Sequence, residues 1–268
     1  MINDDSMILL LDVGNSFIKW AWLDSAWPKC ARKGLPTLSD ADELLHAGEA
    51  LPAALSEAWK GLEKPEQVWM ANVAGNDVLE IISTWVKQHW DCPIRLASSQ
   101  PQSGKVINSY TEPSQLGVDR WLGLLAANIA HAGPSAVIDC GSAITVDAID
   151  ASGKHLGGLI LPGIKMMRDS LYTDTSDINE TAGAETPVGM LFATNTATGV
   201  EIGSLYAVVA YIERVVSDMQ KVMGTELSCV LTGGDAEEVQ PLLSVALENN
   251  PVLVLQGLAL AIQREMSG

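Results

Sequence analysis

The sequence has no apolar run approaching the ~18 residues that a membrane-spanning helix needs. Even Leu205 to Val216 is broken by Tyr206, Tyr211, Glu213 and Arg214. The first apolar segment, Met7 to Leu11, is too short for a signal peptide, and Met1 to Ser6 before it is acidic and polar rather than basic. A cytoplasmic protein without a membrane partner is expected. Cysteine is scarce too: Cys30, Cys92, Cys140 and Cys229 lie far apart, form no CxxC pair and have no histidine at ligand spacing. That argues against a disulfide framework or a zinc site and leaves buried thiols. Positive charge is the third shortage, with 16 Lys and Arg against 33 Asp and Glu and a formal net charge of −17. Such a field repels a phosphate backbone, so nucleic acid is not an expected partner. It repels free nucleotides as well, so any nucleotide site must supply local positive charge and a metal ion.

What the chain does have is apolar material, 47% of 268 residues, enough for one large core or two modest ones. Met7 to Leu11 reads as a buried strand, Gly14-Asn15-Ser16 as a turn and Phe17 to Leu23 as the returning strand. The result is a β-hairpin with Asp12 at the top of its first strand. Ala41 to Leu62 is expected to be helical with an interruption at Pro52, Gln67 to Val73 a strand, and Val78 to Trp90 an amphipathic helix. After Leu116, apolar residues at Val118, Trp121, Leu122, Leu125 and Ile129 recur at helical spacing, which puts Asp119 and Arg120 at the helix start. A second hairpin follows: strand Ala136 to Ile138, turn Asp139-Cys140-Gly141-Ser142, strand Ile144 to Ile149. Leu159 to Leu161 should be a strand leading to Pro162-Gly163 and a short helix, Val200 to Met223 a long helix, Cys229 to Leu231 a strand ending in Thr232-Gly233-Gly234-Asp235, and Gly257 to Met266 a closing helix.

The two hairpins resemble each other, each a buried strand, D-x-G-x-[SA] and a second strand, so an internal duplication of one α/β module is the economical account. Two α/β domains are expected, residues 1–116 and 117–268. In the first hairpin a carboxylate, a close-approach glycine and the Asn15 and Ser16 side chains could together hold phosphate oxygens, with Lys19 as the local cation. A turn in which Gly14 and Asn15 serve geometry alone is the bland alternative. The second hairpin offers Asp139, Gly141, Ser142 and Thr145. Two such loops in one chain arise by chance far less readily than one. His46, His89, His131 and His155 show no paired spacing and read as surface or helix-end residues, Asp147 and Asp150 as solvated strand-end carboxylates, and Trp121 as the one tryptophan that could border a pocket.

The paired loops resemble those of the superfamily of acetate and sugar kinases, heat-shock chaperones and actin. Within it the chain resembles type III pantothenate kinases: D-V-G-N-S-F-I-K at Asp12 to Lys19, G-V-D-R at Gly117 to Arg120, D-C-G-S-A-I-T at Asp139 to Thr145, G-G-L-I-L-P-G at Gly157 to Gly163 and T-G-G-D at Thr232 to Asp235. These five motifs run in order from residue 7 to the end. The resemblance implies an α/β fold of two ribonuclease-H-like (actin-like ATPase) domains with a nucleotide cleft between them, and phosphorylation of pantothenate by ATP with Mg²⁺. It implies ATP contacts from Asp12, Val13, Gly14, Asn15, Ser16, Phe17, Ile18, Lys19 and Ser142, and a catalytic base at Asp119. Pantothenate contacts would come from Tyr110, Gly117, Val118, Asp119, Arg120 and Thr196, a monovalent cation (K⁺ or NH₄⁺) would sit on Asp139, and the assembly would be a homodimer. Two positions depart from the family pattern: Ser142 where threonine is usual, which keeps the hydroxyl, and Gly199 near Thr196 where alanine is usual. A catalytically reduced accessory or regulatory protein on the same fold is the alternative, and the presence of Asp12, Lys19, Asp119 and Asp139 argues against it. An unperturbed aspartate, pKa ~3.9, is ionised at neutral pH and suits the role of base.

Overall fold

The computed structural model describes residues 7–24, 27, 34–39, 41–46, 50–175, 178, 191–224 and 226–267. Cys30, one of the thiols read as buried, lies outside them. The chain divides into two compact units, one drawing its described residues from Met1–Ala132, Ala151–His155 and Val252–Gly268, the other from Gly133–Asp150 and Leu156–Pro251. A boundary at residue 116 would assign the helix that starts at Val118 to the second unit, whereas by contact it belongs to the first.

The first unit is built on a sheet of five strands: β1 Met7–Val13, β2 Phe17–Asp24, β3 Asp42–Leu45, β4 Gln67–Asn72 and β5 Ile94–Leu96, in the order β3-β2-β1-β4-β5. β1 pairs antiparallel with β2 and parallel with β4. Helices cover both faces, so β1 carries an unbroken apolar run from Ile8 to Leu11. Alternate residues Leu9, Leu11 and Val13 face α1 Leu51–Ala58 and α2 Asn76–His89, meeting Leu51, Leu55, Trp59, Ile82 and Val86 in one cluster. Four tryptophans, Trp20, Trp59, Trp85 and Trp90, pack ring against ring here with centroids 4.8–6.0 Å apart. Two short strands, β6 Gln102–Ser103 and β7 Val106–Ile107, form a separate hairpin. α3 Val118–Ala130 follows.

The second unit repeats the plan. Its strands are β8 Ser135–Cys140, β9 Ala143–Ile149, β10 His155–Pro162, β11 Ser228–Thr232 and β12 Glu248–Asn249, in the order β10-β9-β8-β11-β12. β8 is antiparallel to β9 and parallel to β11, as β1 is to β2 and β4. Between β10 and β11 come α4 Ile164–Asp174 and the long α5 Thr196–Met223, whose Val208, Ile212 and Val216 pack on Ala136, Ile138, Ile144 and Val146. After β11 come the short α6 Ala236–Val239 and, back in the first unit, α7 Leu253–Ser267. Two sheets with one strand order are what the duplicated hairpins imply.

Four expectations are corrected. Ala41–Leu62 is not one helix: Asp42–Leu45 pairs with β2 as an edge strand, and α1 begins with Pro52 in its first turn, where the missing N–H is harmless. Cross-strand pairing overrides a local pattern that is compatible with either form. Asp147 is not at a solvated strand end but inside β9, 1% exposed. Trp121 is a core residue, 1% exposed, rather than one on a pocket wall open to solvent. His155 is fully buried rather than at the surface.

α3 is buried nearly all round, from Arg120 to Ala127, so it must meet another helix closely. That helix is α7. A Cβ placed on Gly257 would lie 2.1 Å from the Leu122 carbonyl oxygen and 2.5 Å from its carbon, so the backbones touch there. Gly257→Ala gains at most ~1 kcal/mol of helix propensity. Overpacking against rigid backbone costs ~1–3 kcal/mol, so the clash wins. Thermal melting should show the midpoint lowered by roughly 2–8 °C; an unchanged or higher midpoint would refute the contact.

Candidate active site

The first hairpin brings its charges into line. Asp12 on β1 lies opposite Lys19 on β2, and Lys19 lies opposite Glu43 on β3, so the three side chains occupy one row on one face of the sheet. Lys19 Nζ is 3.6 Å from a Glu43 carboxylate oxygen. The Gly14 N–H donates to the Phe17 carbonyl at 2.9 Å, closing the turn, and a Cβ on Gly14 would sit only 3.3 Å from that oxygen. Val13 and Ile18 are buried beneath it, while Asn15 is exposed.

In the same unit, the start of α3 gathers most of the residues expected to bind the second substrate. Gly117 precedes the helix, and Asp119 folds back over its first turn, its Oδ1 accepting from the Arg120 N–H at 2.8 Å. A Cβ on Gly117 would lie 2.5 Å from that oxygen, so this carboxylate position requires glycine at 117. Arg120 is 8% exposed; its Nη1 donates to the Tyr110 hydroxyl at 3.1 Å, and its guanidinium carbon is 5.8 Å from the centre of the Tyr110 ring. The Tyr110 N–H donates to Asn108 Oδ1 at 3.0 Å, and the Asn108 amide donates in turn to the carbonyls of Gln100 and Pro113, both at 3.3 Å. Behind this loop, Arg264 of α7 holds the β6–β7 hairpin, donating to Ser103 Oγ at 2.6 Å with its guanidinium against Gly104.

The second hairpin is gripped by backbone. Asp139 stands near the end of β8. A Cβ on Gly233 would lie 2.4 Å from the Cys140 carbonyl and 2.5 Å from Asp139 Oδ1; one on Gly163 would lie 2.4 Å from the Gly141 oxygen and 2.6 Å from that of Ser142. The Asp235 N–H donates to the Cys140 carbonyl at 2.9 Å, and the Gly163 N–H to that of Ser142 at 3.0 Å. Burial, and then the carboxylates of Asp139 and Asp235, push the Cys140 thiol up to about 12. Cys140 is therefore a packing residue and not a nucleophile. Burial and Glu238 raise the Asp235 carboxyl above its ordinary value, with Arg168 opposing them. Arg168 ties α4 to α5 and α6 through Ser204 at 2.8 Å and ion pairs to Glu201 and Glu238 at 3.0 and 3.7 Å. Thr196 is exposed at the start of α5, where Asn195 caps the helix by accepting from the Thr198 N–H at 2.8 Å. A Cβ on Gly199 would meet only Ala193 at 3.9 Å, so the family's alanine would fit there and its absence leaves no steric mark. Among the described residues no three His, Cys, Asp or Glu side chains cluster as metal ligands.

Three contributors escaped the sequence reading. Asn108, which orders the Tyr110 loop, and Arg168 sit in no motif. His155 has its Nδ1 3.1 Å from Ser109 Oγ and its ring stacked 5.9 Å from that of Tyr110, and no spacing pattern marked it.

Residues 8–218 match the type III pantothenate kinase family. A type III pantothenate kinase of Nitrosococcus oceani is 40% identical over 94% of this chain and 92% of its own length, and that of Paracidovorax citrulli is 33% identical over 96% and 98%. Among solved structures, a Campylobacter jejuni protein described as a Baf-family transcriptional activator aligns over 97% of this chain and all of its own, with a TM-score of 0.55 at 20% identity. The ethanolamine utilization protein EutJ of Carboxydothermus hydrogenoformans aligns over 94% and 88%, with a TM-score of 0.51 at 12% identity. At those identities the two likenesses speak to fold alone, and the repeated strand order is that of the actin-like ATPase fold. The match covers most of the chain and the curated relatives align over 94–96% of it, so the chain belongs to the type III pantothenate kinase family and catalyses its reaction, the ATP-dependent phosphorylation of pantothenate to 4′-phosphopantothenate at the start of coenzyme A synthesis.

Proposed function

We propose that Asp119 is the general base of this reaction, taking the proton from the primary hydroxyl of pantothenate as that oxygen attacks the γ-phosphorus of ATP. The supporting observation is the start of α3, where the Asp119 carboxylate is oriented by the Arg120 N–H and packs against Gly117 in space that a Cβ there would take. Tyr110, Gly117, Val118, Arg120 and Thr196 bind pantothenate, with the Arg120 guanidinium suited to its carboxylate. Asp12, Val13, Gly14, Asn15, Ser16, Phe17, Ile18 and Lys19, together with Ser142, bind ATP. Lys19 is paired with Glu43, whose side chain is 52% exposed. Such pairs contribute about 0–1 kcal/mol, so the lysine can turn to a phosphate when ATP arrives. Phosphoryl transfer asks a protein chiefly for alignment and charge neutralisation, and these groups supply both.

The kinase reaction uses ATP with a divalent metal ion, here Mg²⁺, which offsets phosphate charge that a chain of net charge −17 would otherwise repel. Asp139 holds a monovalent cation, K⁺ or NH₄⁺. Its carboxylate is a hard oxygen donor, and the absence of side chains on Gly141 and Gly233 leaves backbone close beside it. We further propose a cytoplasmic homodimer. No helix among the described residues is long and apolar enough to cross a membrane. In the second unit, edge strand β10 exposes Leu156, Leu159 and Ile160, and Met166 and Tyr206 are exposed on α4 and α5, an apolar set suited to a second copy.

Asp119→Asn keeps shape but cannot accept a proton, so kcat should fall roughly 10²- to 10⁴-fold while the melting temperature barely moves. Near-parental turnover in the folded variant would sink the assignment. Gly117→Ala leaves the backbone allowed, at φ −51° and ψ 136°, but displaces the carboxylate. Turnover should drop about 10- to 100-fold with folding intact, since a misplacement of ~1 Å suffices for that loss. For the cation, rates in potassium and in a bulky organic cation at equal ionic strength should differ strongly; equal rates would remove the role given to Asp139.

A further inference from the structure

We infer that His155 is a positioning residue for the pantothenate pocket, holding the Tyr110 ring where Arg120 meets it. The inference rests on the reading of Tyr110 and Arg120 as pantothenate contacts, and all the residues involved belong to the first unit.

The Tyr110 side chain lies on a loop between the β6–β7 hairpin and α3, with no regular element of its own to fix it. Its backbone is fixed by Asn108 and its hydroxyl by Arg120. Neither hydrogen bond sets the rotation of the ring about its long axis, on which the Arg120 guanidinium, 5.8 Å from the ring centre, also bears. His155 supplies the ring-to-ring restraint: the imidazole lies parallel to the phenol ring to within 17°, with centroids 5.9 Å apart. The imidazole is itself oriented by Ser109, the neighbour of Tyr110, through Nδ1 and Oγ at 3.1 Å, whichever of the two supplies the hydrogen. Ser109, Tyr110 and His155 thus close a small ring of contacts, and Arg120 completes it from α3.

The placement of His155 strengthens the reading. It is fully buried at the start of β10, directly after the turn that contains Gly153. That turn is locked to the same hairpin: Ile107 bridges Lys154 and donates to the Gly153 carbonyl at 3.0 Å, and a Cβ on Gly153 would lie 2.5 Å from the Lys105 oxygen. Hairpin, turn and imidazole therefore move as one body, and the Tyr110 loop is carried on it. A buried histidine used only as filler would need neither the bond to Ser109 nor a coplanar phenol. Because the contact orients a binding group and touches no reacting atom, its loss should weaken pantothenate binding and leave the chemical step alone.

Steady-state kinetics of the full-length enzyme test this. His155→Ala should raise the KM for pantothenate on the order of 10-fold, with kcat and the KM for ATP within about twofold of the parent. His155→Phe keeps a ring against Tyr110 and should recover most of that loss, leaving a rise of about two- to threefold. Ser109→Ala, an exposed site, should match His155→Phe, and the double variant should be no worse than either, because both changes remove the same bond. A merely structural His155 would lower the melting temperature and leave the three kinetic constants of the folded enzyme unchanged. Parental pantothenate KM in folded His155→Ala overturns the inference; if that variant does not fold, parental KM in both Ser109→Ala and His155→Phe overturns it. Tyr110→Ala separates the two levels. Its KM for pantothenate rises if the pocket is assigned correctly, so a rise there with parental values at 109 and 155 removes His155 alone. A parental value in Tyr110→Ala removes the pocket assignment and the inference with it.

Discussion

Strands β1 and β8 are buried on both faces, and that single constraint organises the molecule. A strand in this position has to be apolar until it runs out from under the covering helices, and only there can a charge appear. Asp12 and Asp139 are the first charged residues along their strands, each one step before the turn. The parallel neighbours β4 and β11 reach the same level at Asn72 and Thr232, opposite Val13 and Asp139. Polar groups therefore collect at the carboxyl ends of the parallel strands in each unit, where α/β sheets bind their ligands. The hairpin register then decides what stands beside each aspartate.

That register shows how the two halves of the duplication have parted. Asp12 faces Lys19 across the hairpin, whereas Asp139 faces Thr145. The first hairpin thus carries its own cation, and its turn is closed by one backbone bond with an exposed Asn15 at the tip. The second has a hydroxyl in place of the lysine, and its turn is clasped by Gly163 and Gly233 at distances no side chain would allow. One module is an open turn with a lysine beside its aspartate; the other is a frame of close backbone around its aspartate.

How much of this could be read in the sequence follows from where each signal lies. Both hairpins, α2, α3, α5 and α7 were legible because each is buried along one stripe or on both faces, and burial writes itself as periodicity. β3 was not: Asp42–Leu45 is an edge strand, mostly exposed, so its pattern carries no burial signal and its identity comes from pairing with β2. Asp147 and His155 were misjudged for the opposite reason. Polar residues are assigned to the surface by composition, and only the tertiary structure reveals a partner that makes burial tolerable. The glycines at 117, 163 and 233 sat in recognised motifs and Gly257 at the start of the expected closing helix, but nothing local shows what they press against. Close approach is a property of two segments, and a sequence displays one at a time.

α3 joins stability to chemistry. Its residues Arg120 to Ala127 are all buried, and its contact with α7 at Gly257 brings backbone against backbone. Val118 and Arg120 on either side of Asp119 are buried while Asp119 itself is partly exposed, so ahead of the exposed last turn only the helix start lets a carboxylate reach solvent. A base placed there inherits the rigidity of a core element without the desolvation that would attend it one turn further on. The N-terminal end of the helix also favours a negative charge, by ~0.3–1 kcal/mol for an exposed group, and the Arg120 N–H defines the orientation of the carboxylate. Precision at Asp119 is therefore a consequence of burying everything behind it.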